Sequence, residues 1–163
     1  MTKTKKTAIV VLVAIMLVAS ILMVACDKTK TDNLANTFEY ASKCTTLKVE
    51  MTKDGQLVYS YDNGKVDDKY NLGVDVSALA GDKAEKGLVI KKTDLKEGYT
   101  FNYDSATQKA ELSGEFANAS ELLGISADKV NVFIKADLKA KSVSEYKVSY
   151  TKKDGYDIVI TLY

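Results

Sequence analysis

Residue types that commonly carry catalysis or metal binding are scarce in this sequence. All 23 basic residues are lysine, the acidic residues number 22, and there is no histidine, arginine, tryptophan or proline. Without histidine the chain cannot form a Ser-His-Asp or Cys-His unit, and it lacks the commonest metal ligand. Without arginine it has no bidentate fork for phosphate or carboxylate. We therefore expect a protein that is not an enzyme and that uses no cofactor.

One remaining feature could support the binding of a metal ion. Asp67-Asp68 is the one adjacent carboxylate pair, but a calcium loop would need further oxygens at alternate positions and a closing glutamate. We interpret the pair as part of a solvated hairpin edge. The nearly balanced charge argues against a nucleic-acid partner, because such a protein needs a basic surplus to neutralise phosphates.

The first 26 residues have the layout of a secretory signal. Lys3, Lys5 and Lys6 form a basic head, and residues 8–25 carry no charge. The run ends in Met23-Val24-Ala25-Cys26, which resembles the lipobox of bacterial lipoproteins. The resemblance implies cleavage after Ala25 and attachment of diacylglycerol to Cys26, which would anchor the protein outside the cytoplasmic membrane. We expect a signal peptide at 1–25, a lipidated cysteine and tether at 26–31, and one domain at 32–163.

Two alternatives to lipidation are open. The apolar run of about 18 residues just reaches the length that spans a bilayer, so it could be an uncleaved anchor. It could also be an ordinary signal peptide, in which case Cys26 could form a disulfide with Cys44. We favour lipidation because Cys26 stands where the apolar run stops and a polar stretch begins. Cys44 is then an unpaired thiol, which we expect to be a buried small apolar residue.

The mature chain shows mostly the two-residue period of strands. The spacing of Leu34, Phe38 and Ala41 predicts a helix over about 32–44. Alternation then predicts strands near 47–52, 57–61, 66–72, 99–103, 110–116, 130–138, 146–150 and 156–162, with Asp54-Gly55 and Asn63-Gly64 as hairpin turns and Gly114 as a bulge. Short helices are expected within 75–86 and from Asn118, whose spacing to Glu121 has the form of a capping box. The fold class is α+β, with a curved antiparallel meander sheet.

Aromatic residues at alternating strand positions are the most suggestive feature of the mature chain. They are Tyr59, Tyr61, Tyr99, Phe101, Tyr103, Tyr146 and Tyr150. One interpretation is cross-strand packing in a core, where aromatic residues are favoured. The other is the lining of a concave apolar cavity with tyrosine hydroxyls as polar groups, and on this hypothesis the seven residues face a ligand.

The order of elements resembles that of the LolA/LppX-like envelope proteins. It consists of a helix after a lipidated cysteine and then an antiparallel meander, as in Tyr146-Lys147-Val148-Ser149-Tyr150 leading into Tyr156-Asp157-Ile158-Val159-Ile160. The resemblance implies a curved half-barrel sheet, covered by helices, that holds lipids or acyl chains. We therefore expect a membrane-anchored lipoprotein that binds an apolar or amphipathic ligand. The alternative is an interaction module for an envelope protein or the cell wall, without a small ligand.

Overall fold

The fold is seen in a computed structural model that describes residues 29–81, 84 and 87–163. By its internal contacts the chain divides into two units, Met1–Asn33 and Leu34–Tyr163. The second unit begins two residues after the start of the predicted domain, 32–163. The predicted signal peptide at 1–25 and the lipidation site Cys26 lie outside the described residues.

One antiparallel sheet of eight strands dominates the domain. The strands are β1 Leu47–Lys53, β2 Gln56–Asp62, β3 Lys65–Asp68, β4 Thr100–Asp104, β5 Lys109–Glu115, β6 Asn131–Asp137, β7 Ser142–Thr151 and β8 Tyr156–Leu162. Their spatial order is β3-β2-β1-β8-β7-β6-β5-β4, so β1 and β8 join two meanders and β3 and β4 form the edges. This confirms the predicted α+β class with a curved antiparallel sheet.

Two-residue turns connect the first three strands. Asp54 and Gly55 have φ angles of 50° and 75°, and Asn63 and Gly64 have φ angles of 45° and 87°. Positive φ at both central residues defines the type I′ turn, whose twist matches that of paired strands. The hairpin turns predicted from Asp-Gly and Asn-Gly are therefore confirmed.

Three α-helices complete the described chain. Helix α1 covers residues 29–41, α2 is Val76–Ala80 and α3 is Ala119–Leu123. Helix α1 was expected at about 32–44, but it ends at 41 because Lys43 and Cys44 donate to carbonyls three residues back, which tightens the chain into a turn. None of the helices among the described residues is long and apolar enough to cross a bilayer.

The helix caps differ in part from the sequence pattern. Helix α3 begins after Asn118 as predicted, but the Asn118 side chain makes no capping hydrogen bond there. The backbone of Asn118, with φ −130° and ψ 60°, differs from the extended conformation usual at this position. Asp75 instead caps α2, because its Oδ1 accepts the Ser77 N–H at 3.1 Å.

One face of the sheet, which we call the inner face, is the core. It carries the buried alternate residues of the central strands, including Val49, Met51, Ile134, Val148 and Ile160. The covering layer contributes the buried side chains Leu34, Phe38, Ala41, Leu79, Ala84, Leu88, Ile90 and Leu123. The predicted apolar face of α1 is therefore confirmed, and the layer over the sheet combines helices with residue 84 and residues 87–95.

The opposite face of the sheet, the outer face, is polar. Lys135 lies 3.8 Å from Glu111 and 3.5 Å from Glu145, and Glu145 also pairs with Lys147 at 2.7 Å. These partners lie on β5, β6 and β7, so the network runs across three strands. Such exposed pairs contribute little stability each, but they keep this face hydrated.

Two local expectations from the sequence were wrong. The alternation from Val66 to Leu72 predicted one long strand, but β3 ends at Asp68, whose carboxylate turns the following chain by accepting backbone hydrogen bonds. Gly114 was expected to mark a bulge, yet it pairs with Val132 without a register shift. A Cβ at Gly114 would lie 2.8 Å from the Cβ of Tyr99, so glycine here makes room for that tyrosine.

Candidate functional site

The aromatic residues singled out in the sequence divide into a buried group and a half-buried group. Tyr59, Phe101, Tyr146 and Tyr150 are buried in the core. Tyr61, Tyr99 and Tyr103 are partly buried and pack against that core. The two buried members on β7 lie near the middle of the sheet, whereas β2 and β4 each carry one buried and one half-buried member.

The hydroxyl groups of Tyr146 and Tyr150 bind the backbone of the covering layer. Tyr150 Oη donates to the Leu79 carbonyl at 2.6 Å, and Tyr146 Oη donates to the Leu88 carbonyl at 3.4 Å. Burial raises the pKa of Tyr150 to about 12 and raises that of Tyr146 further. Both phenols are therefore neutral donors at physiological pH, and they tie the covering layer to the sheet.

Tyr59 and Cys44 are also parts of the packed interior. Tyr59 lies directly opposite Met51 on β1 and is 2% exposed, and burial, with the nearby Asp68 charge, raises its pKa. Cys44 is a buried free thiol, as predicted, and burial raises its pKa as well. A thiol that is kept protonated is a poor nucleophile, so Cys44 serves packing.

Three apolar side chains are exposed in or after β3, next to the half-buried Tyr61. We call Tyr61, Val66, Tyr70 and Leu72 the edge patch. Val66 lies opposite Tyr61 in the β2–β3 pairing, on the inner face, yet it is 60% exposed. Tyr70 and Leu72 are 52% and 37% exposed. Clustered exposed apolar residues of this kind are typical of interaction surfaces.

Asp68 holds the loop that carries two of these residues. Its Oδ1 and Oδ2 accept the backbone N–H groups of Leu72 and Gly73, each at 2.8 Å. These hydrogen bonds lower the pKa of the Asp68 carboxyl, the one from Leu72 being the largest cause. The loop after β3 is thus fixed by a charge-assisted anchor, so that Tyr70 and Leu72 are presented next to the edge strand.

Two grooves on the domain surface are lined by a mixture of charged, polar and apolar residues. One, of about 530 Å³, is lined by residues of β4–β7 that include Asp104, Lys109, Glu111, Lys135 and Asp137. The other has a volume of about 590 Å³ and is lined by Asp128, Lys129, Asn131, Ser149, Tyr150, Thr151, Asp157, Ile158 and Val159. Among the described residues, no group of three or more Asp, Glu, Cys or His side chains is placed to hold a metal ion.

Serine and lysine occur three residues apart at three places, the spacing seen in some acyl-transfer enzymes. Ser144 and Lys147 lie within β7, and Ser144 is the extra residue at a register shift in the pairing of β7 with β6. Ser144 Oγ donates to the Lys135 carbonyl, and Lys147 pairs with Glu145. Ser149 and Lys152 lie at the end of the same strand, and Ser126 and Lys129 lie in the loop before β6. The β7 geometry does not bring Ser144 and Lys147 together as a nucleophile and a base.

The sequence prediction missed Val66, Tyr70 and Leu72 as site residues. Alternation assigned them to a strand and so to packing, because it carries no information on whether another element covers them. The local sequence contains a signal that could have indicated their exposure. These residues follow a two-residue turn and alternate with the polar residues Lys65, Asp67, Lys69 and Asn71. Apolar residues embedded in such a charged segment are suited to a surface rather than to a core.

Comparison with known proteins finds no match: no family model fits the chain, and neither a curated protein nor a solved structure matches it. The likeness to LolA/LppX-like proteins stays a prediction that rests on the order of elements. The lipobox resemblance likewise rests on residues 23–26 alone.

Proposed function

We propose that this chain is a membrane-anchored bacterial surface lipoprotein whose domain is a non-catalytic interaction module for an envelope protein or the cell wall. The observation that carries this proposal is the contrast between a filled inner face and an exposed edge patch. The hydroxyl groups of Tyr146 and Tyr150 donate hydrogen bonds to backbone carbonyls, whereas Val66, Tyr70 and Leu72 are exposed. These two hydroxyl groups, which could have oriented a ligand, are thus bonded within the domain.

The proposed anchor restricts where the partner can be. Leu34, the first buried residue of the domain, follows Cys26 by eight residues. Even a fully extended segment of that length reaches only about 29 Å. A domain lipidated at Cys26 therefore works close to the membrane, and its partner belongs to the envelope.

Replacement of the anchor cysteine tests the lipoprotein part of the proposal. We expect Cys26→Ala to leave the precursor uncleaved and unlabelled by a clickable fatty acid in living cells. Cys44→Ala is the matched control, because it removes the other cysteine and should leave cleavage and labelling unchanged. Normal processing and labelling of Cys26→Ala would show that the lipobox interpretation is wrong.

Site-specific photo-crosslinking on intact cells tests the interaction part. A photoreactive residue in place of Tyr70 should give a discrete adduct, and the same residue in place of Val89 should not. Val89 is the control because it is 59% exposed but lies outside the edge patch. The Tyr70 adduct should disappear when Leu72→Asp is added. Equal labelling from both positions, or none from either, would contradict an interaction site at the edge patch.

A ligand-binding function is the second candidate, and the half-buried aromatics favour it. Tyr99 and Tyr103, at β4, pack on the core but keep part of their surface accessible, so an acyl chain could extend over them. Organic extraction of the purified mature protein followed by mass spectrometry tests this. A stoichiometric lipid whose retention falls in Tyr99→Ser and Tyr103→Ser would support it, and the absence of bound lipid would exclude it.

A further inference from the structure

Strand β3 presents unpaired backbone groups at one edge of the sheet. The type I′ turn at Asn63-Gly64 makes Asp62 and Lys65 a hydrogen-bonded pair, so the next pair, Tyr61 and Val66, is not hydrogen-bonded. The N–H and C=O of Val66 therefore point away from β2. The bond from Lys69 N–H to the Val58 carbonyl fits this alternation, because Lys69 and Lys65 then face β2 alike. Among the described strands, β2 alone pairs with β3, so the edge of β3 that points away from β2 has no partner strand.

The residues around Val66 are complementary to themselves in the antiparallel direction. If two copies of β3 pair about Val66, each Val66 N–H donates to the Val66 carbonyl of the other copy. Lys65 of one copy then lies opposite Asp67 of the other, and the same pair repeats on the far side of the two-fold axis. Both side chains are exposed and lie on the outer face, so no residue that the structure describes covers them.

We propose that β3 is a self-association edge through which two copies of this chain join their sheets about a two-fold axis at Val66. This inference deepens the proposed function, on which it rests, by naming the partner of the edge patch as a second copy. Antiparallel pairing across a perpendicular two-fold axis keeps the inner faces on the same side. The two Val66 side chains consequently come together on that side, where each is 60% exposed in a single copy.

The opposite edge of the sheet lacks this complementarity. Strand β4 reads Thr-Phe-Asn-Tyr-Asp, so its one charged residue is Asp104 and it contains no lysine. A lysine at an edge ordinarily discourages strand addition. In β3 the lysine is followed two residues later by an aspartate on the same face. This spacing favours antiparallel pairing with a second copy of β3, because each lysine then lies opposite an aspartate. The interface closes on itself and yields a dimer rather than a fibre.

Disulfide trapping in cells tests the two-fold register directly. The full chain carrying Val66→Cys is co-expressed with two different epitope tags, and cell extracts are run without reductant. Across a hydrogen-bonded pair the Cα atoms are about 5.5 Å apart, which a disulfide can span. We expect a dimer that contains both tags and that peptide mapping assigns to the two introduced thiols. Val89→Cys, equally exposed, should give none above the background of the parent chain.

Charge exchange separates the proposed register from accidental collision. In the Val66→Cys background, Asp67→Lys places lysine opposite lysine twice, and the trapped dimer should fall on the order of tenfold. Lys65→Asp should act likewise. The double exchange, Lys65→Asp with Asp67→Lys, restores opposite charges between copies and should restore trapping. Because the double exchange keeps Lys65→Asp beside Asp62 within each copy, recovery cannot come from repair of the hairpin itself.

The outcomes distinguish this inference from the function on which it rests. Trapping at position 66 that is insensitive to the single charge changes, or not rescued by the double exchange, would overturn the two-fold register. Adducts from the edge patch with another envelope protein and no self-dimer would overturn self-association and retain the interaction role. Neither self-dimer nor adduct from the edge patch would overturn both.

Discussion

The tyrosine hydroxyls of β7 allow a sharp test of how the covering layer is held on the sheet. Tyr150→Phe and Tyr146→Phe remove one hydroxyl each and change the buried shape very little. The two hydrogen bonds differ in length, at 2.6 Å to the Leu79 carbonyl and 3.4 Å to the Leu88 carbonyl. The second is near the limit at which a hydrogen bond still contributes. The two substitutions should therefore differ in their effect on stability.

The magnitude follows from what each substitution leaves behind. Tyr150→Phe removes a short bond and leaves the carbonyl of Leu79, near the end of the five-residue helix α2, without this donor. A lost hydrogen bond together with a buried unpaired carbonyl lowers the free energy of unfolding by about 2 kcal/mol. Tyr146→Phe removes a weak bond and should lower it by less than about 1 kcal/mol.

Urea denaturation of the chain without residues 1–26, followed by circular dichroism, measures both effects. With an m-value of about 2 kcal/mol/M, Tyr150→Phe should move the midpoint down by about 1 M, and Tyr146→Phe by less than half as much. An unchanged m-value in both variants shows that the comparison reports stability. A Tyr150→Phe midpoint within about 0.2 M of the parent, or an effect of Tyr146→Phe that equals it, would refute this reasoning.

Three further predictions concern the same elements. Burial raises the pKa of Tyr150 to about 12 from its ordinary value of 10.0, so its contribution to stability is present below pH 10 and is lost as pH rises towards 12. Alkaline unfolding curves should show a smaller loss of stability in Tyr150→Phe than in the parent, and the raised pKa values of Tyr59 and Tyr146 should leave part of the loss in both. Gly81→Ala should prevent stable folding, because its Cβ would lie 1.7 Å from the Leu123 carbonyl oxygen. Gly55→Ala is the control: it has a similarly positive φ but open space around the Cβ, so it should lower the free energy of unfolding by only about 1 kcal/mol in the same denaturation assay. Asp68→Ala should reduce the protection of the Leu72 and Gly73 amides against hydrogen exchange and leave the core amides unchanged. In the parent the same loss of protection should appear as pH falls below the lowered pKa of Asp68. Unchanged protection of the two amides in the variant would contradict the anchoring role.

Local patterns predicted those parts of the fold that local physics determines. The alternation of Val132, Ile134 and Ala136 marks β6, and the same period marks β7 and β8, because successive strand residues point to opposite faces. Asp-Gly and Asn-Gly predicted two turns, because both central residues of a type I′ turn need positive φ. These signals are contained in fewer than ten neighbouring residues, so one sequence is enough to read them.

The pairing of distant strands could not be predicted in the same way. Leu47 of β1 lies opposite Leu162 of β8, and this pairing joins two separate meanders into one sheet. Alternation states which residues share a face, but it does not state which strands are neighbours. Which strands become neighbours depends on how the covering layer packs on the inner face. That packing involves residues from α1 to α3, and no short sequence motif encodes it.

The aromatic residues show why the site predicted from the sequence differs from the exposed patch in the structure. Tyr61 and Tyr146 have the same sequence signature, a tyrosine at an inward position of an alternating strand. Tyr146 lies on β7, under the segment that carries Leu88, and is buried completely. Tyr61 lies opposite Val66 at the edge, where cover is incomplete and the neighbouring valine is mostly exposed. Tyr59, on the same strand as Tyr61, is buried, so the cover over each side chain, rather than residue type or strand, decides which aromatic residue can meet another molecule, and the exposed valine directs the search for a partner to β3.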